Sequence, residues 1–286
     1  MTNGEKLREL LDGDRLIMIP GAYDAWSAKL IAKAGFPAVY MSGYGVSASV
    51  LGAPDIGLIS FKEMLDSARN ISKSSNIITL CDADTGFGSL MNVMRTVEAF
   101  ENAGAAAIQI EDQVIPKRCG HMEGKKLISK EEMVAKIKIA VATRKDSSIC
   151  IIARTDSNAV YGFDDALERS KAYEKAGADI IFVEALTSLE QMQEACSHIK
   201  LPMIANMVEN GKTPMLDAKS LFELGYSLAI YPTGTLFSAT KAIQDFLIRL
   251  KKDQTLVTSL PYMVDFLTFN NLMDLEKIRE YEKSFG

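Results

Sequence analysis

Short β-rich apolar runs alternate along the chain with longer segments whose apolar positions recur every three to four residues. The runs read LIMIPG (16–21), AVYMSG (38–43), IITLCDAD (77–84), AAIQIED (106–112), ICIIARTD (149–156), IIFVEA (180–185), MIANM (203–207) and LAIYP (228–232). Their nearly continuous apolar character suits parallel strands covered on both faces. The segments between them, such as DAWSAKLIAKAG, NVMRTVEAFENAG, DDALERSKAYEKAG and DAKSLFELG, read as amphipathic helices. Four helices end on a glycine, at Gly35, Gly104, Gly177 and Gly225, where a chain closes a helix in the left-handed conformation before the next strand.

Eight strand–helix units predict an α/β fold, a (β/α)8 TIM barrel, in a single domain spanning 1–286. The competing arrangement is an open doubly wound sheet, which wants GxGxxG after its first strand; PGAYDAW lacks it. Beyond LAIYP the pattern stays helical for longer than one closing helix requires. Residues 235–286 therefore read as a helical C-terminal extension that packs on a neighbouring subunit.

Composition narrows the function classes. The net charge of −5 and the absence of any Lys/Arg run longer than a pair leave no electrostatic footprint for nucleic acid. No apolar stretch approaches the roughly 20 residues that cross a bilayer, and the N-terminus is charged and helical in pattern, without the apolar core of a signal peptide. Four cysteines without a CxxC pair suggest neither a disulfide framework nor a zinc site, so a cytoplasmic, reduced protein is expected. Cys81, Cys150 and Cys196 fall inside strand or helix patterns and read as packing residues, and His198 as a helix-end residue.

In a barrel the active site lies at the C-terminal ends of the strands. Those ends carry Tyr40, Ser42, Asp82, Asp84, Glu111, Asp112, Arg154, Asp156, Glu184 and Asn206. Buried carboxylates are costly unless paired or metal-bound, so several acids around one arginine point to a hard divalent cation and an anionic ligand. Asp82 and Asp84, two apart in DADTG, are expected on one strand face; with Asp55 and Glu111 they form a Mg2+-type oxygen donor set, with Mn2+ as an alternative. Either aspartate alone could instead cap the next helix. The loop 113–132 is longer than a normal strand-to-helix connection and reads as a lid. It carries Cys119 and His121 beside Lys117, Arg118 and Gly120, cations expected to lower the thiol pKa. Ser129 and Glu132 read as a capping box for the following helix. A flexible basic surface loop is the plainer alternative.

The motifs SGYGVSASVLGAPDIG, DADTGFG, IQIEDQVIPKRCGH, ARTD, VEA and NMVENGKTP, collinear from about residue 8 to the C-terminus, closely resemble the isocitrate lyase/phosphoenolpyruvate mutase superfamily. The resemblance implies a barrel whose last helix is swapped between subunits of a homotetramer, and a Mg2+ site. It implies Asp82 as the direct metal ligand, with Asp55, Asp84 and Glu111 acting through waters. Ser42, Gly43 and Tyr44 resemble the segment that holds an α-keto-acid half. Arg154 is similar to a carboxylate-gripping cation, and Glu184 and Asn206 to pocket-lining residues. Lys117–His121 matches the K(K/R)CGH lid of family lyases, with Cys119 as general acid; mutases carry an asparagine-containing loop instead. The base would be the Tyr40 phenolate or a water relayed by Glu111.

The implied reaction is Mg2+-dependent retro-aldol cleavage of the C2–C3 bond of a small 2-hydroxydicarboxylate. The tail is more similar to malate-type lyases acting on 2,3-dimethylmalate, giving pyruvate and a short carboxylate, than to those acting on 2-methylisocitrate. Tyr44 in SGYG, where the latter resemble SGGG, should shrink the pocket. P–C bond chemistry on carboxyphosphonoenolpyruvate or phosphonopyruvate is a further alternative, and a non-catalytic barrel a third.

Overall fold

The computed structural model describes residues 1–285 and contains all eight expected strands: β1 (Ile17–Ala22), β2 (Ala38–Met41), β3 (Ile78–Asp82), β4 (Ala107–Glu111), β5 (Cys150–Thr155), β6 (Ile180–Val183), β7 (Ile204–Asn206) and β8 (Leu228–Tyr231). They lie in the order β6-β5-β4-β3-β2-β1-β8-β7, every pairing parallel. A parallel bridge between Ile181 and Met203 joins the ends, β6 and β7, so the sheet curls into a nearly closed barrel. Helices follow the strands on the outside, as the right-handed crossover between parallel neighbours requires. Gly35, Gly104, Gly177 and Gly225 have φ of 86°, 97°, 101° and 103°, a region costly for side chains with a Cβ.

Two apolar shells hold the barrel. Inside it pack Ile19, Tyr40, Leu80, Ile152, Phe182, Ile204 and Leu228, all at most 3% exposed. Between strands and helices lie Met41, Ile108, Ile110, Ile151 and Ile181 against Met64, Phe100, Ile137 and Tyr173. The helix Asn3–Leu11 stops the lower end of the barrel with Leu7, completely buried. Its start is fixed by a reciprocal cap between Thr2 and Glu5, and its side by Arg8, which donates to the Ser148 carbonyl at 2.8 Å. Each large apolar side chain so buried contributes about 1.5–3 kcal/mol. The interior is thus a packed plug, and the candidate site residues gather at the upper mouth.

Register sets which mouth residues are neighbours. Asp82 pairs with Gln109 across β3 and β4, and Glu111 with Arg154 across β4 and β5. From Leu236 onward the chain forms a second compact unit. It comprises most of the helix Gly234–Asp253, a 3-10 turn at Val257–Tyr262, and helices Phe266–Leu272 and Leu275–Phe285. Among the described residues no helix is long and apolar enough to cross a membrane.

Candidate active site

Asp82 is the last residue of β3, and the chain leaves it through a turn in which Asp84, Gly86, Phe87 and Gly88 all have positive φ. Asp84, at φ 47°, is a strained position for a non-glycine residue. It is held by two hydrogen bonds: its N–H donates to Asp82 Oδ1 at 3.0 Å, and its carbonyl accepts from Glu111 N–H at 2.8 Å. The two aspartates therefore do not share a strand face as their spacing suggested. They reach one space by a left-handed turn, facing Gly43, where a Cβ would lie 2.8 Å from Asp82 Oδ2 and 3.4 Å from Asp84 Oδ1.

Asp55 joins them through a lysine. Lys117 Nζ lies 2.7 Å from Asp55 Oδ1 and 2.8 Å from Asp84 Oδ1. Burial alone would lower the Lys117 pKa, but Asp84, Asp55, Glu111 and Asp82 together hold it well above its ordinary value. Burial pushes the Asp84 carboxyl up to about 6, against the pull of Lys117 and with the help of Asp82 and Asp55. Among the described residues no three His, Cys, Asp or Glu side chains already form a ligand cage; the cation among these acids is the Lys117 ammonium. The donors are nonetheless all hard oxygens, and Glu111 Oε1 is buried without a hydrogen-bond partner. That set fits a divalent ion held by few protein ligands and several waters.

Beside the acids stands Arg154. Its Nε is 3.3 Å from Glu111 Oε2, its fork grips Asp156 at 3.0 and 3.1 Å, and its NH2 is 3.4 Å from Glu184 Oε2. The guanidinium also stacks over the Phe182 ring, 5.1 Å from the centroid. Burial opposes its charge, but Asp156, Glu111 and Glu184 hold its pKa well above normal. Burial drives the Glu111 carboxyl well above the usual range, only partly offset by Arg154. Asn206 donates to Glu184 Oε2 at 2.9 Å and leaves its own Oδ1 buried and unpaired.

The long loop lies across this mouth. Its stalks are joined by an antiparallel bridge, Gln113 to Leu127, and by Val114 N–H donating to the Lys126 carbonyl at 2.7 Å. At the tip, Cys119 N–H donates to the Asp55 carbonyl at 3.1 Å. His121 Nε2 lies 3.6 Å from Glu184 Oε1, and its Nδ1 accepts from Lys212 N–H at 3.2 Å. The expectation that cations lower the Cys119 pKa is corrected. Burial raises it, and the His121 N–H and Arg154 only partly offset that. Lys117 is committed to Asp55 and Asp84, while exposed Arg118 donates to the Glu123 carbonyl at 3.1 Å. Arg118, expected at the substrate, thus serves the hairpin of the lid. Ser129 accepts from Glu132 N–H at 3.1 Å, one half of the expected capping box.

On the opposite wall Ser42 caps the turn Gly43–Val46, accepting from Gly45 N–H at 3.3 Å. Burial raises the pKa of the Tyr44 phenol, and Cys119 and Asp55 raise it further. Tyr40 donates to Gln109 Oε1 at 3.0 Å, and Gln109 donates to Asp82 Oδ1 at 3.3 Å. Burial, then Asp82, pushes the phenol well above 10, so Tyr40 is poorly placed to be a base. Gln109 went unremarked in the sequence, although it is the one polar side chain within the apolar part of AAIQIED. Tyr40→Phe leaves Gln109 Oε1 unpaired, at about 1–3 kcal/mol of stability, yet should change kcat by less than about tenfold. Urea unfolding and steady-state kinetics check this; a loss above roughly 10²-fold, typical of a missing general base, would return Tyr40 to that role.

Residues 7–251 match the family model described as phosphoenolpyruvate phosphomutase. The chain belongs to this family. Among curated members of the phosphoenolpyruvate phosphomutase family, it is 50% identical over 286 residues to 2,3-dimethylmalate lyase of Eubacterium barkeri, covering 100% of this chain and 99% of the relative. It is 44% identical over 280 residues to 2-methylisocitrate lyase of Aeropyrum pernix, covering 98% and 89%. A crystal structure of 2,3-dimethylmalate lyase superposes with a TM-score of 0.94 at 36% identity, covering 100% of this chain and 96% of the other. Phosphonopyruvate hydrolase in complex with oxalate and Mg++ superposes with a TM-score of 0.90 at 29% identity, covering 100% and 99%. These similarities identify the chain as an enzyme, and the two curated relatives named above are carbon–carbon lyases.

Proposed function

We propose that this enzyme cleaves the C2–C3 bond of a small 2-hydroxydicarboxylate of the 2,3-dimethylmalate type, releasing pyruvate and a short carboxylate. The observation that carries the reading is the Cys119 thiol, its backbone tied to the Asp55 carbonyl, over a mouth that holds both a carboxylate set for a divalent ion and an arginine. Asp82 would bind Mg2+, with Asp55, Asp84 and Glu111 supporting it; Mn2+ suits the same donors. Such an ion, when bound, stabilises negative charge on the oxygens of the keto-acid half.

The chain's own groups supply the rest. Glu111, whose Oε1 is buried and unpaired, takes the proton from the substrate's 2-hydroxyl through a water. As the C2–C3 bond breaks, C2 becomes the keto carbon of pyruvate, and the bond's electron pair passes to C3 and its carboxylate. Arg154, with Asn206 and Glu184 beside it, faces the substrate's carboxylate oxygens and balances that developing charge. Cys119 gives its proton to C3, His121 ties the lid tip to the Lys212 N–H, and Ser42, Gly43 and Tyr44 shape the keto-acid side.

A panel of 2,3-dimethylmalate, 2-methylisocitrate and phosphonopyruvate, assayed separately for pyruvate, tests the substrate class. The highest kcat/KM is expected for 2,3-dimethylmalate; preference for phosphonopyruvate would move the enzyme to P–C chemistry. Asp82→Ala should raise the Mg2+ concentration needed for half-maximal rate by roughly 10–100-fold, as lost metal-site groups do. A metal titration that overlays the parent's would remove Asp82 from the site. We further propose a cytoplasmic homotetramer in which the helical tail of one subunit packs on another. Support comes from the tail itself: its three α-helices contain no buried residue, and Ile248, Phe266 and Leu267 are 65%, 86% and 67% exposed.

A further inference from the structure

The lid carries a second buried lysine that the chemistry above leaves unused. Lys125 follows Cys119 by six residues, and its side chain is 2% exposed. Its Nζ donates to the Gly120 carbonyl and lies 3.4 Å from Asp156 Oδ1. Asp156 is itself completely buried and is the carboxylate that grips the Arg154 fork. Gly120 presses on the same guanidinium: a Cβ at that position would lie 2.5 Å from Arg154 NH2 and 2.5 Å from Glu184 Cγ. One arginine therefore meets the lid twice, at the Gly120 backbone and, through Asp156, at Lys125.

We propose that Lys125 is a positioning residue, a latch that ties the Gly120 carbonyl to Asp156 and so seats the neighbouring Cys119 over the barrel mouth. Moving an ammonium from water to a buried place is unfavourable unless good partners meet it there. Here the partners are one carbonyl at the lid tip and one carboxylate on the barrel, and they are within reach together only when the tip rests on Arg154. The latch therefore selects a single closed position, and displacement of a reacting group by about 1 Å can cost roughly 10²-fold in rate. Lys117 anchors the other side of Cys119 at Asp55 and Asp84, so the thiol hangs between two buried cationic ties. The catalytic consequence rests on Cys119 being the proton donor of the proposed reaction; the seating of the lid does not.

The test uses the full chain and two readouts, the rate of Cys119 alkylation by iodoacetamide, followed by peptide mapping, and kcat on 2,3-dimethylmalate. Lys125→Met and Lys125→Gln should speed Cys119 alkylation by roughly tenfold or more and lower kcat by a similar factor with a smaller change in KM. Cys196, partly exposed and outside the lid, should react at the parent's rate, which separates lid opening from general unfolding. Lys125→Arg, which keeps the charge, should restore slow labelling. Parent-like labelling of Cys119 in both Met and Gln variants would overturn the latch, as would labelling in the Arg variant as fast as in Lys125→Met. If the parent released no pyruvate from any dicarboxylate, the proposed reaction would fail while the labelling comparison still decided the latch.

Discussion

Replacing Cys119 by serine should lower kcat by roughly 10²–10⁴-fold, the range for loss of a general acid, with little change in substrate affinity. The thiol is well matched to that task. Burial raises its pKa, so it holds a proton at neutral pH, and its backbone is fixed by the hydrogen bond to the Asp55 carbonyl. Serine keeps the size and the backbone tie but is a far weaker acid, so the closed lid persists while the carbon waits for its proton. Steady-state kinetics together with calorimetric binding of oxalate separate the two effects. A serine variant within about tenfold of the parent in kcat would take Cys119 out of the proton transfer and leave the lid as a cover.

Arg154→Met should be the most destabilising single change at the mouth, costing about 3–5 kcal/mol, because removing one partner leaves buried charges uncompensated. Three carboxylates, Glu111, Asp156 and Glu184, share that guanidinium, and methionine of similar length supplies none of its donors. The sign of the pH response follows. Without the arginine, burial is the largest influence left on Glu111 and Asp156, so these two carboxyls have folded-state pKa values above their unfolded ones. The penalty is then full above the folded values and fades as pH falls through them, when the groups can be buried as neutral acids. Urea unfolding at pH 7.5 and pH 5.5 measures it: the gap between variant and parent should narrow at the lower pH. An unfolding free energy within about 1 kcal/mol of the parent's would mean that the carboxylates find other partners.

The barrel was legible because its signals are local and repeated. Continuous apolar runs flanked by amphipathic segments specify strands covered on both faces, and the four glycines occupy the left-handed helix ends that their spacing suggested. The acids were legible as a group, since a cluster of carboxylates at strand ends has no packing explanation. What stayed hidden depends on contacts between distant segments. Asp82 and Asp84 were expected to meet by strand alternation, whereas β3 ends at Asp82 and a left-handed turn delivers Asp84. A cation's charge is written in the sequence but its destination is not: Lys117 crosses to Asp55 and Asp84, Arg118 folds back onto its own hairpin, and Lys125 reaches Asp156. The sign of the Cys119 shift is hidden for the same reason: charge can be counted along the chain, but burial cannot. The same holds for Tyr40, whose position at a strand end marks a reactive candidate while its hydroxyl donates to Gln109 on the next strand but one.

The most direct measurement is pyruvate release from 2,3-dimethylmalate by chelator-stripped enzyme, before and after Mg2+ is restored. The structure of the mouth predicts no turnover from the stripped protein and recovery of full rate with the added ion. Equal rates in the two states, or no keto acid in either, would contradict it.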